Sequence, residues 1–395
     1  MSNNQKPTTN NIIGIIGSGA MGAGIAQVAA TAGHSVIVYD NNDSALSKAK
    51  ANLDSTFKKL IEKQKLTDEK AKSIIANIQF ANDLNQFRNC GLIIEAIIEN
   101  IDVKQKLFSD LEAIVSAHCI LATNTSSLSI ASIASACKKA ERVIGIHFFN
   151  PAPLMPLVEI IPGILTDNAV TENSKKIIDS WGKVTVFTKD TPGFIVNRVA
   201  RSFYGESIRI YEEGMADFAT IDWALKTYGG FKMGPFELMD FIGNDINFKV
   251  TESVWTQFFF EPRFKPSLTQ KRLYEAKLFG RKSGRGYYNY AEGVAMPQPK
   301  QDEELGKYIF NRVIVMLINE AIDSLYLQLA TKEDLDLAMT KGVNYPKGLL
   351  KWADEIGLKN VYTSLDVLYE LYNEDRYRPS ILLKMMVRDE KKFYS

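Results

Sequence analysis

From Ile12 to about Lys189 the chain alternates short apolar runs with longer amphipathic stretches. The apolar runs predict strands at Ile12–Ile16, Ser35–Tyr39, Leu92–Ile98, Cys119–Thr123, Val143–His147, Leu157–Ile161 and Val184–Phe187. Between them, apolar residues recur at helical spacing over Ala20–Ala32, Asp43–Glu62 and Val103–Ser116. The first five strands are almost continuously apolar, which suits a parallel sheet covered by helices on both faces. Such alternation predicts βαβ units and therefore a doubly wound α/β sheet.

After Lys189 the strand pattern stops. Thr191-Pro192 reads as an N-cap followed by proline at the first helical position, which predicts an all-α remainder. That remainder repeats itself. Asn197-Arg198-Val199 recurs as Asn311-Arg312-Val313, an offset of 114 residues, and the same offset pairs Glu206 with Glu320, Asp222 with Asp336, Gly234 with Gly348, Asp240 with Asp354 and Gly243 with Gly357. Pro266-Ser267 pairs with Pro379-Ser380 after a one-residue slip. Two homologous all-α domains are thus expected after the sheet. The segments are a disordered polar arm at 1–11, a nucleotide domain at 12–189, a first helical domain at 190–290, a proline-bearing linker at 291–302 and a second, truncated helical copy at 303–395. The second copy is read as lacking a counterpart of Lys282-Ser283-Gly284-Arg285-Gly286-Tyr287-Tyr288.

At 395 residues the chain exceeds a single small module, and 46% hydrophobic residues suffice for sizeable cores. Forty-seven Lys and Arg against 46 Asp and Glu leave a net charge of +1, so no global field favours nucleic acid or an anionic membrane. Cys90, Cys119 and Cys137 have neither metal-site spacing nor the even number of a disulfide framework, and no metal is expected. The most apolar long stretch, Tyr308 to Leu327, is interrupted by Asn311, Arg312, Asn319, Glu320 and Asp323. The opening residues lack the apolar core of a secretion signal, so the expectation is a cytoplasmic protein.

Directly after the first strand stands Gly17-Ser18-Gly19-Ala20-Met21-Gly22. Glycines at this spacing let the backbone turn tightly, approach a pyrophosphate and pack the helix on the strand, whose N-terminal N–H groups then face the phosphates. Asp40 ends the second strand, 21 residues beyond Gly19, where a carboxylate accepts both ribose hydroxyls of NAD and repels a 2′-phosphate. A Rossmann-type domain using NAD is the reading.

Only His34, His118 and His147 offer an imidazole. His34 lies in the loop entering the second strand and His118 at the amino end of another, whereas His147 closes a strand at its carboxyl end, where ligands collect in open parallel sheets. Glu159 is a lone carboxylate in the apolar run Leu157–Ile161 and needs a partner. An imidazole is the most economical one: the carboxylate fixes the tautomer, and the other ring nitrogen takes an alcohol proton. A core histidine and a lysine-paired glutamate are the plainer alternative.

Six ordered segments now form a pattern: the glycine turn through Ala26, Asn124-Thr125-Ser126-Ser127-Leu128, His147-Phe148-Phe149-Asn150-Pro151, Asp190-Thr191-Pro192-Gly193-Phe194, Asn197-Arg198 and Lys282 to Tyr288. Over about Ile12 to Tyr290 they resemble the L-3-hydroxyacyl-CoA dehydrogenases of the short-chain, 3-hydroxybutyryl-CoA type, enzymes of fatty-acid β-oxidation. The resemblance implies His147 as catalytic base with Glu159 orienting it, and Ser126 and Asn197 on the substrate's 3-oxygen and thioester region. It places Asp40, Glu99, Lys104, Ser126, Asn150 and Lys282 against NAD, and Thr56 and Lys63 against CoA. Seven residues of helix are about two turns, roughly 10.5 Å, so Thr56 and Lys63 share a face. A solvated basic face of Lys58, Lys59, Lys63 and Lys65 is the alternative.

The expected reaction is NAD-dependent oxidation of an L-3-hydroxyacyl-CoA to the 3-oxoacyl-CoA. Its rivals are a dehydrogenase of a 3-hydroxy acid without CoA and an idle nucleotide-binding scaffold. Lys232, in the segment Gly230 to Phe236, is a candidate for favouring a carboxylated acyl group such as 3-hydroxyadipyl, or simply a loop lysine. Relatives with one helical unit commonly dimerise through it. The second copy is therefore expected to stand in for a subunit, burying Val313, Leu317 and Ile318 within a monomer, with a homodimer as the alternative.

Overall fold

The computed structural model describes residues 12–394, so the arm predicted at 1–11 lies outside the described residues. Two compact units part between Asp190 and Thr191. The first runs β1 (Ile12–Ile16), α1 (Ala20–Thr31), β2 (Ser35–Tyr39), α2 (Asp43–Glu62), α3 (Asp68–Ala76), β3 (Ile78–Ala81), β4 (Leu92–Glu95) and α4 (Ile101–Ile114). It continues with β5 (Ile120–Thr123), α5 (Ile130–Ala134), β6 (Val143–Phe148), β7 (Leu157–Pro162), α6 (Asn168–Ser180) and β8 (Val184–Phe187).

The eight strands order as β3-β2-β1-β4-β5-β6-β7-β8, a Rossmann-type sheet in which every neighbouring pair is parallel except β6 and β7. The chain reverses direction across the sheet at β1, whose neighbours are β2 and β4, and the crevice beyond the carboxyl ends at such a point is where ligands bind. Ile15, Val38, Leu92, Ile94 and Ile146 carry no exposed surface or almost none, as strands buried on both faces require.

The strand predicted over Leu92–Ile98 stops at Glu95, because Glu95 Oε1 accepts from Ile97 N at 2.7 Å and turns the backbone out of the ladder. The strand predicted from Cys119 starts at Ile120, and β3 with α3 has no counterpart in the sequence reading.

The second unit is helical: α7 (Val196–Val199), α8 (Arg201–Glu212), α9 (Phe218–Gly229), α10 (Pro235–Ile242), α11 (Asn244–Gln257) and α12 (Leu268–Glu275) form the first copy. The second holds α13 (Glu303–Tyr326), α14 (Lys332–Gly342), α15 (Leu349–Ile356), α16 (Leu358–Tyr372) and α17 (Ile381–Arg388). The copies share this one unit: α13 packs on α8 and α9, and Val313, Leu317 and Ile318 have 0% exposure.

Repeated residues hold equivalent positions. Asp222 accepts from Phe236 N and Glu237 N and caps α10, while Asp336 accepts from Leu350 N and Lys351 N and caps α15. Gly234 and Gly348 permit this, since a Cβ would lie 2.3 Å from Asp222 Oδ1 and 2.2 Å from Asp336 Cγ.

The expected truncation needs correcting. Asp240 accepts from the N–H groups of Tyr287 and Tyr288, and Asp354 accepts likewise from Phe393 and Tyr394. The Tyr288 and Tyr394 hydroxyls complete the match by donating to Asp222 and Asp336. The second copy thus keeps the closing aromatic pair and dispenses with the Lys282 loop.

Candidate active site

The turn after β1 is fixed by sterics. Gly17 has φ +99°, and a Cβ there would lie 2.5 Å from Ala96 O; a Cβ on Gly22 would lie 1.9 Å from Gly17 O. Gly19 differs, because its Cβ would meet nothing within 4 Å, so the backbone there is bare toward the crevice. No side chain caps the start of α1, which leaves the first-turn N–H groups around Ala20 and Met21 to face an anion.

At the end of β2, Asp40 Oδ2 accepts from Ser18 N and Ser18 Oγ, both at 2.8 Å. The carboxylate is thereby aimed into a cleft of about 710 Å³ whose walls include Gly17, Gly19, Tyr39, Ala96 and Val103. A glycine turn with open N–H groups next to a carboxylate is an arrangement that fits a dinucleotide. Ser18 was not singled out from sequence, and its only signal is a hydroxyl at a variable position of the turn.

A second layer of acids stands beyond β4. Glu95, with 0% exposure, accepts from Lys104 Nζ at 2.5 Å and Thr123 Oγ1 at 2.7 Å. Glu99 Oε1 accepts from Thr125 Oγ1, Ser126 N and Ser127 Oγ, and Lys104 Nζ lies 3.3 Å from its Oε2. Burial pushes the Glu99 carboxyl up, but Lys104 and these three donors outweigh it and hold the group below the usual carboxylate range. Lys104 itself is 1% exposed and divided between the two glutamates, so its place here is beneath Glu99 rather than on the open cleft.

His147 and Glu159 face each other because β6 and β7 are antiparallel and their register pairs these residues directly. His147 Nδ1 lies 2.7 Å from Glu159 Oε2; the histidine is 5% exposed and the glutamate 0%. A carboxylate only accepts, so Nδ1 carries the proton and Nε2 the lone pair. The end of β6 is held by Phe148 N donating to Asn124 Oδ1 at 2.8 Å, and the Phe149 ring lies 4.5 Å from the imidazole. Asn150 follows, exposed. Burial pushes the Cys90 and Cys119 thiols up to about 12, which removes them as nucleophiles.

Thr56 and Lys63 both line a groove of about 910 Å³ along α2, as their spacing predicts, together with Gly19, Lys59 and Pro153. Asn197 and Lys282 belong to the helical unit. Asn197 sits on α7, and Lys282 Nζ donates to Asp245 Oδ2 at 2.7 Å. Among the described residues no helix is long and apolar enough to cross a membrane.

Comparison with known proteins adds the following. Residues 12–191 match the family described as 3-hydroxyacyl-CoA dehydrogenase, NAD binding domain, and residues 193–290 and 308–393 both match the 3-hydroxyacyl-CoA dehydrogenase C-terminal domain. The 3-hydroxyadipyl-CoA dehydrogenase of Escherichia coli K12 is 36% identical, over 94% of this chain and 96% of the relative. Human mitochondrial hydroxyacyl-coenzyme A dehydrogenase is 40% identical, over 70% of this chain and 90% of its own. A crystal structure of 3-hydroxybutyryl-CoA dehydrogenase from E. coli K12 superposes with a TM-score of 0.91 at 35% identity, covering 96% of this chain and 98% of the other.

Proposed function

Since the chain belongs to the 3-hydroxyacyl-CoA dehydrogenase family and is an NAD-dependent oxidoreductase, we propose that His147 is the general base of its reaction and Glu159 the residue that orients and charges it. The observation that supports this is the 2.7 Å contact between His147 Nδ1 and a fully buried carboxylate. Nε2 takes the proton of the substrate's 3-hydroxyl, and Glu159 stabilises the imidazolium that results. Bound NAD supplies the acceptor for the hydride from C3. Asp40 accepts the ribose hydroxyls, and the bare backbone of Gly19, with the first N–H groups of α1, holds the pyrophosphate. Ser126 and Asn197 hydrogen-bond the 3-oxygen and thioester region. Glu99, Asn150 and Lys282 contact the cofactor, and Lys104 positions Glu99.

The acyl-CoA is bound with its nucleotide along α2. Lys48, Lys59, Lys63 and Lys65 line that groove and meet the phosphates, with the exposed Thr56 beside them. The acyl group is short-chain or dicarboxylic, of the 3-hydroxybutyryl or 3-hydroxyadipyl kind. The second helical copy occupies the place of a partner subunit, which makes the chain an internal pseudo-dimer.

Formation of NADH from NAD and L-3-hydroxybutyryl-CoA tests the reading. His147→Gln is expected to lower turnover by roughly 10²–10⁴-fold with the Kd for NAD unmoved. Near-normal turnover by that variant overturns the assignment of the base.

A further inference from the structure

The helical unit contains a buried cation that its own fold does not neutralise. Arg201, at the start of α8, is 6% exposed. Its Nε donates to Asn197 O at 2.7 Å, its Nη1 donates to Thr251 Oγ1 at 3.2 Å, and its Cζ lies 5.0 Å from the Tyr204 ring centroid. Among the described residues no carboxylate pairs with it. Arg198 and Arg312 behave differently, each being held by a buried glutamate. Burial pulls the Arg201 guanidinium below its ordinary range, whereas the acids beside Arg312 outweigh burial and hold that group above it. A charge taken out of water without a counter-ion destabilises the fold that contains it.

Tyr345 is a second anomaly in the same place. It is 5% exposed, its hydroxyl has no hydrogen-bond partner among the described residues, and it feels the charge of Arg201. Buried hydroxyls are ordinarily paired, so the open Tyr345 hydroxyl beside a cation that has neutral acceptors but no counter-ion leaves one donor and one positive charge unanswered.

The internal repeat supplies the control. The counterpart of Arg201 is Val315, that of Tyr204 is Ile318 and that of Tyr345 is Phe231, and all three hydrocarbon side chains are buried. One fold therefore packs these positions twice, once in each copy, and manages without polarity each time it is absent. What the fold does not require, a ligand can.

We propose that Arg201, with the hydroxyls of Tyr204 and Tyr345, is a carboxylate-recognition site that selects acyl-CoA substrates carrying a second carboxylate at the far end of the acyl chain. The inference rests on the reading in which Asn197 touches the substrate. Arg201 follows Asn197 by four residues, about one helical turn or roughly 6 Å, so a carboxylate a few carbons beyond the reacting carbon comes within its reach. The guanidinium fork meets both carboxylate oxygens, and the tyrosine hydroxyls donate to the remaining lone pairs. Lys232, the candidate from sequence, is exposed, and a solvated ammonium discriminates poorly.

The test compares 3-hydroxyadipyl-CoA with 3-hydroxyhexanoyl-CoA, which share their carbon number and differ in the terminal carboxylate, in the full-length wild type, Arg201→Met and Tyr345→Phe. Wild type is expected to prefer the dicarboxylic substrate. Arg201→Met should lower the ratio of the two kcat/KM values by roughly 10²-fold, and Tyr345→Phe should lower it several-fold. The melting temperature of each variant should be maintained or raised, because the other copy packs hydrocarbon at both positions. A wild type without preference, a ratio unmoved by Arg201→Met, or a lowered melting temperature of that variant overturns the proposal. A wild type that oxidises neither compound is a different failure, of the substrate-site reading itself.

Discussion

Arg312 donates through Nε to Glu206 Oε1 at 2.6 Å, and its repeat counterpart Arg198 donates through Nε to Glu320 Oε1 at the same distance. The two acids are also counterparts, so the contact is self-complementary in the manner of a two-fold subunit interface, here joined within one chain. All four side chains are at most 5% exposed. Removing Glu206 takes away a buried, charge-assisted contact while Glu213 still holds the Nη atoms of Arg312, which costs about 1.5–3 kcal/mol. Glu206→Gln should lower the free energy of unfolding in urea by about that much, the more so because Tyr377 OH also donates to Glu206. A loss below about 1 kcal/mol, the value of an exposed pair, would show that this contact does not hold the copies together.

Glu99 gives a pH dependence with a definite sign. Its folded-state carboxyl lies below the usual range, so the stability it contributes is fully present above the unfolded value of about 4.3 and is lost as pH falls through the lower folded value. The difference in melting temperature between wild type and Glu99→Gln should therefore be constant near neutrality and shrink below about pH 4. Calorimetry across that interval decides the matter, and a difference that does not vary with pH contradicts it.

Lys63 is exposed in the α2 groove, and its attraction for a phosphate is therefore screened. Lys63→Ala should raise KM for an acyl-CoA by up to about 5-fold at low ionic strength, in keeping with the roughly 1 kcal/mol limit of exposed pairs. The effect should fade toward 1 M salt, where the Debye length is about 3 Å. A KM for NAD that rises in parallel would place the lysine elsewhere.

Elements whose signals are local were legible in the sequence. The spans of α2 and β8 match residue for residue, and the glycine turn follows β1 as expected. The β3 strand was hidden because Gln79 and Ala81 interrupt Ile78-Gln79-Phe80-Ala81, which lacks the β-branched and aromatic run Val184-Thr185-Val186-Phe187 that marks the equally short edge β8. The argument that found Glu159, an acid inside an apolar strand, applies equally to Glu95, whose partner Lys104 stands on the next helix. The aromatic pair of the second copy escaped because its loop is seven residues shorter, which moves Phe393-Tyr394 out of the 114-residue offset. Arg201 carries no sequence signal, since burial without a counter-ion is visible only in three dimensions.

Glu159 separates orientation from proton affinity. Its carboxylate accepts from Nδ1 and so dictates which ring nitrogen holds the lone pair. Glu159→Gln offers a carboxamide that both donates and accepts, so the imidazole divides between tautomers and loses the charge that stabilises its protonated form. Turnover should fall by roughly 10²–10⁴-fold while KM for the acyl-CoA moves little, because on the proposed assignment the pair acts in the transition state and not in binding. In His147→Gln the same change should add almost nothing, since a residue that works through the imidazole has no role once the imidazole is gone. If the two losses multiplied instead, Glu159 would be acting on the reaction by a route other than His147, and the buried pair would not be the catalytic unit.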